Sequence, residues 1–209
     1  MDSLLKLISH FREFPGIGPR QAERFAYFLL GKTDSYRKSL ASEITSVSDN
    51  IRTCPSCYKF FTEKGNLCHI CSSPMRDSSL LMVVAKDVDL NTIEKTKTYN
   101  GKYFVLGGTI PILSKEPEKT VRVKELEKTI SNRPNLKEII FALSVNSESE
   151  YTREIVEDYI KTAVKEHNIA ISVLGRGLST GTEIEYSDME TIKNALERRT
   201  RGDSSARDF

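Results

Sequence analysis

Cys54-Pro55-Ser56-Cys57-Tyr58-Lys59-Phe60-Phe61-Thr62-Glu63-Lys64-Gly65-Asn66-Leu67-Cys68-His69-Ile70-Cys71 carries all four cysteines of the 209-residue chain, and its reading divides everything around it. The spacing C-x2-C-x10-C-x2-C makes two knuckles with two thiolates each. The ten residues between let the knuckles face one another around a tetrahedral ion at roughly 2.3 Å Zn–S. Zinc suits that geometry best, so one structural Zn2+ per chain is expected on Cys54, Cys57, Cys68 and Cys71. A reducing cytoplasm argues against two disulfides, and neither C-x-x-C has the strand-to-helix context of a thioredoxin-type pair. Haem attachment needs His directly after the second Cys, where Ser72 stands. Four thiolates close the shell. His69 is then a bystander, and the ion folds a segment too short for its own core.

Upstream the pattern is helical. Leu4, Leu7, Ile8 and Phe11 repeat at helical spacing and predict an amphipathic helix over 3–14. Pro15-Gly16-Ile17-Gly18-Pro19 stops it, and Pro19 suits the first turn of a second helix running from about Arg20 to Leu30. Gly16 and Gly18 are expected in conformations closed to other residues, with Ile17 plugging the space between the helices. The open amides at the start of the second helix, with the positive end of its dipole, make a phosphate seat. Arg20 and Arg24 lie four apart beside that turn, so both can neutralise phosphates. The plainer alternative is a solvated basic face on an ordinary helical hairpin. A third helix is predicted over 35–51, with Tyr36, Leu40, Ile44, Val47 and Ile51 as a buried stripe that closes the small domain.

Downstream, strands alternate with helices. Leu80–Ala85, Tyr103–Leu106, Ile139–Leu143 and Ile169–Leu174 are apolar runs of strand length, separated by helical stretches near 88–96, 121–132 and 150–167. That order predicts an α/β domain with a mostly parallel sheet. The boundaries follow: helical 1–52, zinc module 53–76, α/β domain 77–187, and a C-terminal helix and tail over 188–209. Gly107-Gly108 and Gly175-Arg176-Gly177 follow strands without continuing into Gly-Lys-Ser/Thr, so they turn the chain rather than cradle a nucleotide. His10, His69 and His167 lie in no recognisable nucleophilic setting.

The bulk numbers agree with a chain that meets nucleic acid at one end. The net charge is only +2, but residues 1–76 hold 11 Lys/Arg against 7 Asp/Glu, and the rest hold 20 against 22. No run approaches the roughly 20 apolar residues of a membrane helix, and Met1-Asp2-Ser3 does not open like a secretory signal. A cytoplasmic location away from membranes is expected. Arg201-Gly202-Asp203 matches an adhesion tripeptide that a cytoplasmic chain has no use for.

Taken together, Phe14-Pro15-Gly16-Ile17-Gly18-Pro19, Tyr103-Phe104-Val105-Leu106-Gly107-Gly108, and Arg176-Gly177-Leu178 followed by Gly181 and Glu185-Tyr186 are far more specific than any one alone. In this order of modules the chain resembles the RecR family of bacterial recombination mediators over nearly its whole length. The turn around Gly16 resembles a helix-hairpin-helix, which holds DNA by its backbone without reading sequence. The resemblance implies that the α/β part is a Toprim domain. It also implies a homodimer or a homotetramer ring around DNA, work with RecO and sometimes RecF, and help in loading RecA at gaps. In the family a segment with two glutamates one residue apart docks basic RecO, and Glu148 and Glu150 match it; an acidic helix start is the competing reading.

The sequence departs from the catalytic Toprim pattern of a Glu after the first strand and an Asp-x-Asp after a later one, a cluster that magnesium chemistry needs. Ala85 stands for the Glu, and Ser144-Val145-Asn146 for the aspartates. Asp87 and Asp89 follow the wrong strand and are read as caps for the next helix. A non-catalytic binding protein is therefore the leading reading. The alternatives are a magnesium-dependent Toprim phosphotransferase, primase-like or nuclease-like, and a zinc-dependent RNA-binding module.

Overall fold

The four apolar runs form one parallel sheet, covered on both faces at its centre, where Leu81–Val84 and Tyr103–Val105 are buried, but left open along the edge run, where Ile171, Val173 and Leu174 are exposed. The computed structural model describes residues 2–175, 177, 178, 181 and 183–197. They fall into two compact units, divided between Arg52 and Thr53.

In the first unit, α1 (Ser3–Arg12) packs against α2 (Pro19–Leu30). Their contact rests on small side chains, Ala22 and Ala26, both fully buried. Phe11 stacks edge-on against Phe25, with centroids 5.8 Å apart. The third helix, α3 (Asp34–Asn50), is started by the Thr33 hydroxyl, which accepts the Tyr36 N–H. Its expected buried stripe is not buried: Ile44 is 64% and Val47 53% exposed. α3 is tied to the end of α2 at its first turns, where Tyr36 meets Phe28 and Arg37 Nη1 donates to Leu29 O at 3.3 Å. Serines and charges flank the one-residue-wide stripe, so little apolar area drives it onto the hairpin.

The second unit opens at Thr53, the last residue of the short strand β1 (Arg52–Thr53), which pairs with β2 (Phe60–Phe61) and is followed by α4 (His69–Ser72). The main sheet contains β3 (Asp77–Val84), β4 (Gly101–Val105), β5 (Glu138–Ala142) and β6 (Ala170–Val173) in the order β4-β3-β5-β6, every pairing parallel. The crossovers are α5 (Asp87–Thr96), then α6 (Pro117–Thr120) with α7 (Val123–Ser131), and α8 (Ser147–Glu166). Beyond β6 come a short 3-10 turn, Ile184–Tyr186, and α9 (Met189–Glu197).

Strand alternation sends successive side chains to opposite faces. Leu81, Val83, Phe104 and Phe141 meet Leu126 and Ile130 of α7 and Val156 and Ile160 of α8. Met82, Val84, Tyr103 and Val105 meet Leu90 of α5 together with Cys54, Cys57, Cys68 and Ile70. The cysteine module is thus part of the covering of the sheet's second face. Burying each such Leu, Ile or Val contributes about 2 kcal/mol, which sustains the continuous apolar runs.

Candidate metal centre and nucleic-acid interface

The four cysteine sulfurs lie within 4.8 Å of one another, and Cys57 Sγ is 3.6 Å from Cys68 Sγ. A tetrahedral ion with thiolate bonds of about 2.3 Å spaces its sulfurs by about 3.8 Å, so the donor set and spacing fit a four-thiolate centre. Backbone geometry shapes each knuckle. Tyr58 N–H donates to Cys54 O at 2.8 Å with Tyr58 at φ 61°, and Ser72 N–H donates to Cys68 O at 3.0 Å. Cys54, Cys57 and Cys68 are buried and Cys71 partly so. The Cys57 thiol is pushed up by its hydrogen bonds with Cys68 and Cys71 and by burial, while Cys68 is held far below the thiol range by its own hydrogen bonds with Cys57 and Cys71. Four groups this close ionise together only around a cation. His69 stays outside, its Nδ1 2.8 Å from Glu63 Oε1.

Several hydrogen bonds that no sequence spacing announces fasten this centre to the sheet. Val105 N–H donates to Cys57 O at 2.8 Å. Lys102 Nζ donates to the carbonyls of Ile70, Cys71 and Ser73 at 2.9, 3.1 and 2.9 Å. Arg133 Nη2 donates to Ser56 Oγ at 3.1 Å, across 77 residues of sequence. Burial pulls both Lys102 and Arg133 down from their ordinary values, and the neighbouring cysteines oppose it.

The two aspartates after β3 do different work. Asp89 accepts the Lys86 N–H at 2.9 Å and caps α5 as expected, but Asp87 Oδ1 accepts the Phe60 N–H at 2.8 Å and so reaches into the cysteine module. The expectation that both cap α5 is corrected to one. Ala85 is buried at the end of β3, and Asn146 caps α8 by accepting the Ser149 N–H at 2.8 Å. Gly107, at φ 96°, turns the chain where a Cβ would lie 2.8 Å from Arg122 Nη1. Of Gly175-Arg176-Gly177 and Arg176-Gly177-Leu178, Arg176 lies outside the described residues, as does Arg201-Gly202-Asp203.

In the first unit, Gly16 has φ 78°, Ile17 is half-buried between α1 and α2, and Gly18 precedes Pro19 at the start of α2. Gly18 does not need its glycine for backbone freedom: it is extended, at φ −81° and ψ 171°, and a Cβ there meets nothing within 4 Å. No side chain caps α2, which leaves its first turn accessible to a ligand. Arg20 and Arg24 are exposed one turn apart on that helix. Glu148 and Glu150 both sit in the first turn of α8, which begins at Ser147 rather than near 150. Glu148 accepts from the Thr109 hydroxyl, and Glu150 pairs with Arg153 Nη2 at 3.2 Å. Among the described residues no helix is long and apolar enough to cross a membrane.

A helix-hairpin-helix unit ahead of a four-cysteine cluster built onto a parallel α/β sheet defines a Toprim-type protein with an N-terminal helix-hairpin-helix module. The family model for the helix-hairpin-helix of RecR matches residues 4–47, and that for the Toprim domain matches 79–175. The chain is 35% identical to "Recombination protein RecR" of Synechococcus sp. (strain JA-3-3Ab) over 196 residues, 94% of this chain and 96% of that one. It is 35% identical to the protein of the same name from Legionella pneumophila subsp. pneumophila (strain Philadelphia 1) over 199 residues, 95% and 96% of the two chains. With that of Roseiflexus sp. (strain RS-1) it shares 33% identity over 196 residues, 94% and 92%. The chain belongs to the RecR family of recombination proteins.

Proposed function

We propose that this chain is a non-catalytic recombination mediator of DNA repair, an oligomeric clamp that holds DNA without reading its sequence and promotes RecA loading at gaps with RecO and sometimes RecF. The observation that carries the reading is the uncapped start of α2, followed by two exposed arginines one turn apart, in a chain of this family. A helix N-terminus with open amides attracts phosphate, and arginines beside it add charge-assisted bonds that carry no base information. A homodimer or homotetramer ring repeats these weak contacts along one duplex and multiplies them. One structural zinc on Cys54, Cys57, Cys68 and Cys71 accounts for the sulfur geometry. The non-catalytic reading is supported by Ala85 and Asn146 at positions where magnesium chemistry needs carboxylates, and by Asp87 and Asp89 being engaged elsewhere.

The test is DNA binding by Arg20→Ala with Arg24→Ala across a salt series. Loss of two phosphate contacts lowers affinity for all sequences alike and reduces the slope of log K against log salt by about 2. Binding as tight as the parent's at low salt would move the interface elsewhere.

A further inference from the structure

Two cations stand beside the four-sulfur centre, and both come from the α/β sheet and its connections rather than from the knuckles. Lys102, in β4, gives its ammonium protons to the carbonyls of Ile70, Cys71 and Ser73, so its charge is fixed against the second knuckle. Arg133, just beyond α7, holds Ser56 of the first knuckle through Nη2. Its Nη1 is buried and has no hydrogen-bond partner. Desolvating a guanidinium is costly unless negative charge lies close to it. Cys71, Ser56, Lys102 and Arg133 line one cavity of about 300 Å3.

Charge balance completes the argument. Four thiolates around one zinc dication leave two negative charges in excess, in a place where three of the four cysteines are buried. Uncompensated charge in such surroundings is expensive, and two fixed cations offset it. We propose that Lys102 and Arg133 are the positioning counter-charges of the zinc-tetrathiolate centre, holding the metal more tightly and blunting the thiolates toward electrophiles. This rests on the zinc reading above. Lys102 otherwise only caps the short helix α4, and Arg133 only packs the turn after α7.

The test uses the full-length, zinc-loaded chain with Arg133→Gln, Arg133→Lys and Lys102→Gln. Zinc transfer to a chelating dye and cysteine alkylation by N-ethylmaleimide are followed, with urea unfolding as a fold control. Outer-shell partners of a metal site are worth about 10- to 100-fold in metal affinity, so Arg133→Gln and Lys102→Gln should each release zinc at least about tenfold more readily and alkylate faster. Arg133→Lys, which keeps the charge and loses the fork, should stay within about threefold of the parent. Parent-like zinc retention by Arg133→Gln, or equal leakage from Arg133→Lys and Arg133→Gln, overturns the inference. If Lys102→Gln does not fold, the two Arg133 variants decide; if neither of those folds, Arg133 is a packing element and the inference fails. A parent chain without zinc is a different result, which sinks the zinc reading itself.

Discussion

Arg76 Nη1 donates to Glu94 Oε1 at 2.8 Å while its Nη2 reaches Oε2, so a two-pronged ion pair joins the residue before β3 to α5. The side chains are only 17% and 21% exposed, so removing one partner strands a mostly buried charge and costs more than breaking a surface bridge. Burial alone would raise the Glu94 carboxyl; the Arg76 hydrogen bond and charge outweigh it and hold the group below its ordinary value. A depressed carboxylate contributes stability that is present above the ordinary carboxylate range and is lost as pH falls through the lower folded value. Glu94→Gln should therefore cost about 2 kcal/mol at neutral pH. Its difference from the parent should shrink as pH drops below about 4.5. Urea unfolding of both chains across that window checks it, because every other acid-sensitive contribution is common to the two and cancels.

Gly16 and Gly18 separate a folding role from a contact role. At φ 78° a side chain on Gly16 is strained, so Gly16→Ala should destabilise the first unit by about 1 kcal/mol. Gly18 is extended and open, so Gly18→Ala should leave stability within about 1 kcal/mol of the parent. Its Cβ would stand where a phosphate approaches the amides of α2, and binding to every DNA sequence should weaken. Parent-like DNA binding by Gly18→Ala would remove the close-approach reading.

Cys57 ties the four-cysteine cluster to the sheet: its sulfur belongs to the cluster, and its carbonyl accepts the Val105 N–H at the end of β4. On the zinc reading, Cys57→Ser should lose the ion and, with it, the cysteine module's share of the covering on one face of the sheet. Metal analysis and thermal unfolding read the two effects together. Freshly purified, reduced parent protein containing no zinc would overturn the assignment.

The parallel sheet was legible because strands covered on both faces must be apolar throughout, as Leu80–Ala85 is. The cysteine spacing was legible for the same kind of reason, since one ion demands one local geometry. What sequence did not reveal lies in long-range partners. Nothing near Lys102 or Arg133 marks them as neighbours of residues some 30 and 77 positions away. Asp87 looks like a cap from its place before a helix, and only the folded chain brings Phe60 N–H to it. α3 was misread because a stripe of correct period says that a helix is amphipathic but not whether its own chain covers it.

The acidic start of α8 bears on the partner surface. Asn146 already caps the helix through the Ser149 N–H, so neither Glu148 nor Glu150 is needed as the N-cap. Carboxylates in the first turn still gain about 0.3–1 kcal/mol each from the helix dipole. Glu148 is exposed and bonded to the Thr109 hydroxyl, and Glu150 is partly exposed and shares Arg153 with Glu157. These carboxylates lie on the surface at the carboxyl ends of the strands, where open α/β sheets present their ligand sites, and a basic partner can reach them. On the RecO partnership proposed above, Glu148→Lys with Glu150→Lys should abolish that binding while costing only about 1–2 kcal/mol of stability and sparing metal content and low-salt DNA binding. Binding measured by calorimetry at fixed salt, with metal analysis on the same sample, makes the comparison. An unchanged RecO affinity would leave the two glutamates with local roles alone: the helix dipole, the Thr109 hydrogen bond and the Arg153 pair.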